Sequence, residues 1–137
     1  MVRGEIPRRG EVYPIETLRP FDFMTAELLA ALIAVESGGN DLARGRHGEL
    51  GALQVKRCVV ADVNRVVGGN YRWSEMTNRV TATRVARAYL DHWGSPSRLG
   101  RKPTDRDLAM IWHHGPSGWR RGSITYWKRV QARMGAS

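Results

Sequence analysis

A glutamate stands at the end of an apolar segment, where a carboxylic acid could keep its proton. Residues 23–35 are mostly apolar and could bury one face of a helix, and Glu36 follows directly, before the chain-breaking sequence SGGN at 37–40. Burial beside apolar groups raises the pKa of a carboxyl group, and an acid that stays protonated near neutral pH can protonate the leaving oxygen of a glycosidic bond. Glu36 is therefore the candidate general acid, against the commoner role of a solvated glutamate at a helix end.

Glu49 is the candidate second carboxylate, because it follows Glu36 by thirteen residues within a glycine-rich stretch. Inverting glycosidases place their two carboxyl groups about 6.5–9.5 Å apart, and retaining ones about 5–5.5 Å. Hydrolysis is expected if Glu49 faces Glu36, and a mechanism with one carboxyl group if Glu49 faces solvent. Asp41 is nearer in the sequence but too close to the helix end to reach across a cleft.

Histidines could suggest a metal site, since His113 and His114 are adjacent and could be joined by His47 or His92. Neighbouring residues on a helix point about 100° apart, so this pair cannot easily share one ion. We expect no metal ion and no cofactor, and we interpret His113 as a hydrogen-bonding group near Glu36.

The elements that must position these residues are mainly helices. A helix is predicted from Asp22 or Thr25, either of which could cap it, to about Glu36. Five glycines make residues 37–51 a loop or a small β-hairpin. Further helices are predicted on the 3–4 spacing of apolar residues and on their caps, over residues 55–67, 74–93, 104–114 and 126–130. The apolar face of the helix over 74–93 includes Val80. The last helix is basic, and its apolar face either packs on the domain or disrupts membranes; it consists of Tyr126, Trp127, Val130 and Met134.

Size and charge limit the class of protein. The chain has 137 residues, enough for one domain, which we place at 21–137 behind an irregular, proline-containing arm at 1–20. It carries 22 Lys plus Arg against 13 Asp plus Glu, a formal charge of +9, which predicts a polyanionic partner. Cys58 is the only cysteine, so we expect a buried, unreactive thiol. The apolar run at 23–35 is too short to span a bilayer, and the first 20 residues lack the apolar core of a secretory signal.

Three ordered motifs carry a resemblance to a known family. They are the sequences ESGGN at 36–40, GALQ at 51–54 and IWHHGP at 111–116. Their order and spacing resemble the superfamily of soluble lytic transglycosylases and goose-type lysozymes, whose motifs read E-S-G-G-N, G-x-x-Q and A-Y-N-x-G-P. The resemblance covers residues 24 to about 130. The ending YWKRV at 126–130 is also similar to small lysozyme-like enzymes of phages.

The resemblance implies an α+β lysozyme-like fold, a helical domain in which the glycine-rich region lines a substrate cleft. It implies that Glu36 is the general acid, that Ser37 contacts the substrate or the glutamate, and that Gln54 lines the cleft. Trp112 stands where the family has a tyrosine that holds the glutamate, and His113 where it has asparagine. An indole can stack on a sugar but lacks a phenolic hydroxyl, so core packing is an equal alternative for Trp112.

The implied activity is cleavage of the β-1,4 bond between N-acetylmuramic acid and N-acetylglucosamine in bacterial peptidoglycan. The product would be a reducing end or, if the 6-hydroxyl of the sugar attacks, a 1,6-anhydro end. We expect a monomeric endolysin or virion-associated lysin that is made in the cytoplasm, passes holin pores or travels in a virion, and meets an anionic cell envelope.

Two other classes remain open. One is a catalytically inactive peptidoglycan-binding relative. The other is a basic helical domain that binds nucleic acid, although the sequence has no helix-turn-helix or ribonucleoprotein signature and we expect no specific nucleic acid. Sequence-selective DNA binding with steep salt dependence would favour that class. Its phosphate contacts would come from arginines at 84, 87, 120, 121, 129 and 133.

Overall fold

A computed structural model describes residues 23–135 of the chain, and this part is mainly helical. The predicted arm at 1–20 and the possible cap Asp22 lie outside the described residues. In chain order the helices are α1 (Ala26–Ser37), α2 (Arg57–Val67), a 3-10 helix (Trp73–Thr77), α3 (Arg79–Trp93), α4 (Pro96–Leu99), α5 (Asp105–His114), α6 (Gly118–Arg121) and α7 (Thr125–Gln131).

The first helix begins and ends where its sequence directs. The Thr25 side chain accepts a hydrogen bond from the backbone N–H of Leu28 at 3.1 Å, which confirms Thr25 as the N-cap. At the other end Gly38 adopts a left-handed conformation with φ of +64°, and its N–H bonds to the carbonyl of Ala34. Glycine meets this backbone requirement without the steric penalty of a Cβ atom. The break after Glu36 is therefore a helix C-cap.

The glycine-rich region after α1 is a loop with very little strand pairing. Its ladder consists of two isolated antiparallel bridges, Arg44 with Leu50 and Leu50 with Val55. Gly51 fits this turn because it has φ of +83° and because a Cβ atom there would lie 1.9 Å from the carbonyl oxygen of Met76. The loop is thus closed on itself and pressed against the 3-10 helix.

The core lies between the helices and the base of this loop. Side chains that are essentially inaccessible come from α1, the loop, α2, α3, α5 and α7, among them Leu28, Leu32, Leu53, Val63, Val85, Ile111 and Val130. Helix α5 is capped as predicted, since Thr104 and Asp107 each accept from the other's backbone N–H. In the described range, no helix is both long and apolar enough to cross a membrane.

Two predictions of burial are wrong. Cys58 is exposed, because it lies in the first turn of α2 on the side away from Val59, Val60 and Val63, which face the core. Val80 is 61 % exposed, since the predicted helix over 74–93 is divided at Asn78 into a 3-10 helix and α3. The division changes which residues of α3 face inward.

Candidate active site

The carboxyl group of Glu36 lies in the last turn of α1, half-buried against the C-terminal helices. Its burial raises its pKa above the ordinary value for glutamate, and the negative charge of Glu49 raises that pKa further. A hydrogen bond from Tyr126 and the positive charges of Arg129 and Lys56 lower the pKa of Glu36 but do not offset the effect of burial. The group therefore keeps its proton to a higher pH than an exposed glutamate does.

Tyr126 is the residue that the sequence analysis missed. Its hydroxyl donates a hydrogen bond to Oε2 of Glu36 at 2.5 Å, although 90 residues separate the two. Tyr126 lies on α7 and is 4 % exposed, as expected for the apolar side of that helix, which also buries Val130. Trp112, which the motif comparison aligned with a tyrosine, has no phenolic hydroxyl, and the hydroxyl that contacts Glu36 comes from α7. In the sequence, the spacing of Tyr126 and Val130 by four residues indicated that both face the core, but it did not indicate a hydrogen bond to Glu36.

His113 completes this cluster through its ring. The imidazole stacks on the phenol of Tyr126 with centroids 4.0 Å apart and planes inclined by 6°. Burial lowers the pKa of His113, and the charges of His114, Lys56 and Arg129 lower it further, so the ring is neutral at neutral pH. His113 thus supports Tyr126, which in turn holds Glu36. Its predicted role as a hydrogen-bonding group near Glu36 remains a prediction.

Ser37 ties the end of α1 to the loop. Its hydroxyl lies 2.8 Å from the carbonyl oxygen of Ala52 and 3.2 Å from that of Ile33, and it accepts from the N–H of Gly39 at 3.1 Å. The described contacts of this side chain are therefore with backbone groups. They hold the residue after the candidate acid in place.

Ser37→Ala is expected to lower the free energy of unfolding by about 1 kcal/mol, the usual contribution of one such hydrogen bond. The loss should appear as a lower urea midpoint with an unchanged slope, because the substitution removes hydrogen bonds of the folded protein without changing the surface exposed on unfolding. Ser117→Ala is the matched control, since that hydroxyl makes no cap hydrogen bond at the start of α6. An equal midpoint for the two variants would contradict this role of Ser37.

Gln54 and Trp112 hold the loop from inside. The amide nitrogen of Gln54 donates to the carbonyls of Ala43 at 3.1 Å and Gly51 at 2.9 Å, and its backbone has φ of +52°. The indole N–H of Trp112 donates to the carbonyl of Leu53 at 3.2 Å, and the ring is 8 % exposed. Of the two roles considered for Trp112, the structure shows packing in the core. Both residues position the loop near Glu36.

Glu49 is turned back over its own loop. One carboxylate oxygen accepts from the N–H of His47 at 2.7 Å, and the same oxygen lies 2.5 Å from where a Cβ atom on Gly45 would be. Hydrogen bonds from its own N–H and from that of His47 lower the pKa of Glu49, so it is ionised at neutral pH. It acts on Glu36 through its charge, and no described hydrogen bond joins the two. Asp41 is paired with Arg79 at 2.8 Å.

Metal-binding side chains do not assemble at this site. The rings of His113 and His114 lie 4.6 Å apart, and His114 contacts the carbonyl oxygen of Ser123. Within residues 23–135, no three His, Cys, Asp or Glu side chains come close enough to hold an ion.

A groove of about 470 Å³ runs along the outer side of α1. Its walls are apolar residues of that helix together with Arg79 and Arg133, and Glu36 is not among its lining residues. This groove is thus separate from the Glu36–Tyr126 pair.

Comparison with protein families and with curated proteins finds no family model and no curated relative that matches this chain. The assignment of function therefore depends on the site itself and on the ordered motifs.

Proposed function

We propose that this protein cleaves the β-1,4 glycosidic bond between N-acetylmuramic acid and N-acetylglucosamine in bacterial peptidoglycan. The observation that carries the proposal is the Glu36 carboxyl group, whose pKa burial raises and whose Oε2 accepts the Tyr126 hydroxyl at 2.5 Å. An acid with a raised pKa, fixed by a neighbouring donor, is what protonation of a leaving oxygen requires.

In this mechanism the Tyr126 hydroxyl occupies Oε2 of Glu36, and the other oxygen carries the proton. That proton passes to the glycosidic oxygen as the bond to C1 of the muramic acid breaks. The helix C-cap at Gly38 lets the chain turn away directly after the acid, so the substrate can approach. We assign the cleft to the space between the loop over 38–55 and the helices α5 and α7. In that cleft Ser37, Gln54 and Trp112 act by positioning the loop wall.

The position of Glu49 favours a mechanism with one carboxyl group. A base that activates water must face the reacting carbon, whereas the Glu49 carboxylate accepts hydrogen bonds from its own loop. In this mechanism with one carboxyl group, the 6-hydroxyl of the muramic acid attacks C1 and gives its proton to the carboxylate of Glu36. The leaving sugar takes the proton that Glu36 held, and the muramic acid ends as a 1,6-anhydro product.

Mass spectrometry of peptidoglycan digested by the purified full chain tests the reaction and its outcome together. The expected products carry 1,6-anhydro ends, which have the mass of the reducing product less one water. Reducing ends would identify a hydrolytic lysozyme and overturn the assignment of the outcome. Absence of any soluble product would overturn the enzyme proposal in favour of a wall-binding protein.

Glu49→Gln in the same assay is expected to retain activity within about threefold and to give the same anhydro products. The negative charge of Glu49 raises the pKa of Glu36, so its removal should lower that pKa and move the alkaline limb of the pH–rate profile to lower pH. A catalytic base would behave differently, because its loss costs about a hundredfold or more. A loss of that size would assign Glu49 the second catalytic role.

The wider setting follows from the same proposal. The net charge of +9 would draw the protein towards a cell envelope rich in phosphate and carboxylate groups. Such an enzyme suits a phage-type endolysin released through holin pores or a lysin carried in a virion.

A further inference from the structure

Two exposed cations act on the Glu36 carboxyl through their charge, each from a different element. Lys56 is the N-cap of α2 and closes the loop, and Arg129 lies on α7. Neither cation has a carboxylate partner within salt-bridge distance in the part of the chain that the structure describes. Both are therefore available to a ligand.

The loop bridge sets the position of Lys56. Leu50 and Val55 exchange both backbone hydrogen bonds, at 3.1 and 2.9 Å. Lys56 directly follows Val55 in this bridge and begins α2 as its N-cap. Lys56 therefore stands at the base of the loop, where its charge lowers the pKa of both Glu36 and Glu49.

The helix period sets the position of Arg129. It follows Tyr126 by three residues on α7, and residues at i, i+3 are neighbours on one helix face. Because the Tyr126 hydroxyl contacts Glu36 at 2.5 Å, this side of α7 faces the acid. The two cations thus approach Glu36 from the loop and from the C-terminal helix.

The local charge is positive when Glu36 holds its proton. His113 is neutral because burial lowers its pKa, and Glu49 is ionised, so Lys56 and Arg129 leave one excess positive charge. These cations also lower the pKa of Glu36, which works against a general acid. This excess positive charge favours a ligand group that carries negative charge.

We propose that Lys56 and Arg129 form a carboxylate-binding subsite beside the scissile bond. The inference depends on the proposed function, in which muramic acid is the sugar cleaved at C1. This sugar differs from N-acetylglucosamine by a lactyl ether, whose carboxylate is either free or linked to an acidic peptide stem. The subsite would select glycan that carries a carboxylate at this position over a neutral chitin chain.

The test measures binding to the full-length Glu36→Gln protein by calorimetry, so that no ligand is consumed. The ligands are chitotetraose, the tetrasaccharide of alternating N-acetylglucosamine and N-acetylmuramic acid with free lactyl groups, and the same tetrasaccharide with peptide stems. We expect at least one acidic ligand to bind about tenfold or more tightly than chitotetraose. Adding Lys56→Gln or Arg129→Gln should remove about fivefold of that preference each, as for an exposed ion pair, while chitotetraose affinity is unchanged.

Lys128→Gln is the matched control, because this exposed cation leaves α7 about 100° around from Arg129 and should not alter the preference. Selectivity for the free-lactyl ligand assigns the lactyl carboxylate, and selectivity only for the stem ligand assigns the peptide. Equal loss on neutral and acidic ligands, no loss, or no binding of any ligand would overturn the subsite. Selective binding by a wild-type protein that releases no product would retain the subsite and reject the cleavage.

Discussion

Glu36→Gln is expected to lower the rate of peptidoglycan cleavage at least about a hundredfold, while the protein stays folded. General acid catalysis contributes roughly 10²–10⁴ to the rate, and an amide cannot give up a proton to the leaving oxygen. The substitution keeps the size of the side chain and leaves an oxygen to accept from Tyr126. The release of soluble fragments from purified cell walls measures the rate, and circular dichroism checks the fold.

The same substitution should make the protein more stable at alkaline pH. Burial raises the pKa of Glu36 in the folded protein above its value in the unfolded chain. The stability that this difference provides is therefore complete below the unfolded pKa and is lost as the pH rises through the folded pKa. The melting temperature of Glu36→Gln relative to wild type should therefore rise as the pH increases from about 5, just above the ordinary pKa of glutamate, towards 8. Glu27→Gln on the exposed first turn of α1 is the control and should change neither property. Retained cleavage by Glu36→Gln would reject the mechanism.

Tyr126→Phe is expected to lower the rate of cleavage by about 10- to 100-fold. The phenol is the described hydrogen-bond donor to Glu36, and removing one partner of a buried pair costs about 1–3 kcal/mol. Since that bond lowers the pKa of Glu36, its loss should raise the pKa and move the alkaline limb of the pH–rate profile to higher pH. Rates on purified cell walls from pH 4 to pH 10 measure both effects.

The direction of the pH shift separates positioning of the acid from general damage. Tyr71→Phe removes a phenolic hydroxyl from a half-buried tyrosine between α2 and the 3-10 helix, and should leave the profile unchanged. A loss of rate in Tyr126→Phe without movement of the alkaline limb would indicate that the ring packs but its hydroxyl does not act on Glu36.

Local features of the fold could be predicted from the sequence because they depend on neighbouring residues. Thr25 caps α1, Thr104 and Asp107 cap α5, and Gly38 ends α1 in a left-handed conformation. Which residues of a helix face the core was harder to predict than where a helix lies. Successive side chains on a helix point about 100° apart, so an error of one residue changes which side chains are buried. Val80 is exposed after the break at Asn78, and Cys58 is exposed in the first turn of α2, which begins at Arg57.

In the candidate site too, the local features could be predicted from the sequence and the contacts between distant residues could not. Sequence alone identified Glu36, its seat at the end of an apolar helix, and the glycines that turn the chain away. It could not identify Tyr126 as the partner, because a contact across 90 residues depends on how α7 packs against α1. Nor could it show that the indole N–H of Trp112 donates to the carbonyl of Leu53.

The sequence by itself determined the helix that carries Glu36 and the point at which this helix ends, since these follow from residue types and backbone preferences within a few positions. Only the tertiary structure decided what surrounds the acid. Burial against the C-terminal helices raises the pKa of Glu36, Tyr126 binds its carboxyl group, and the loop turns Glu49 back on itself. Solvation and charge depend on groups brought together from distant parts of the chain, and that assembly sets the acidity of Glu36.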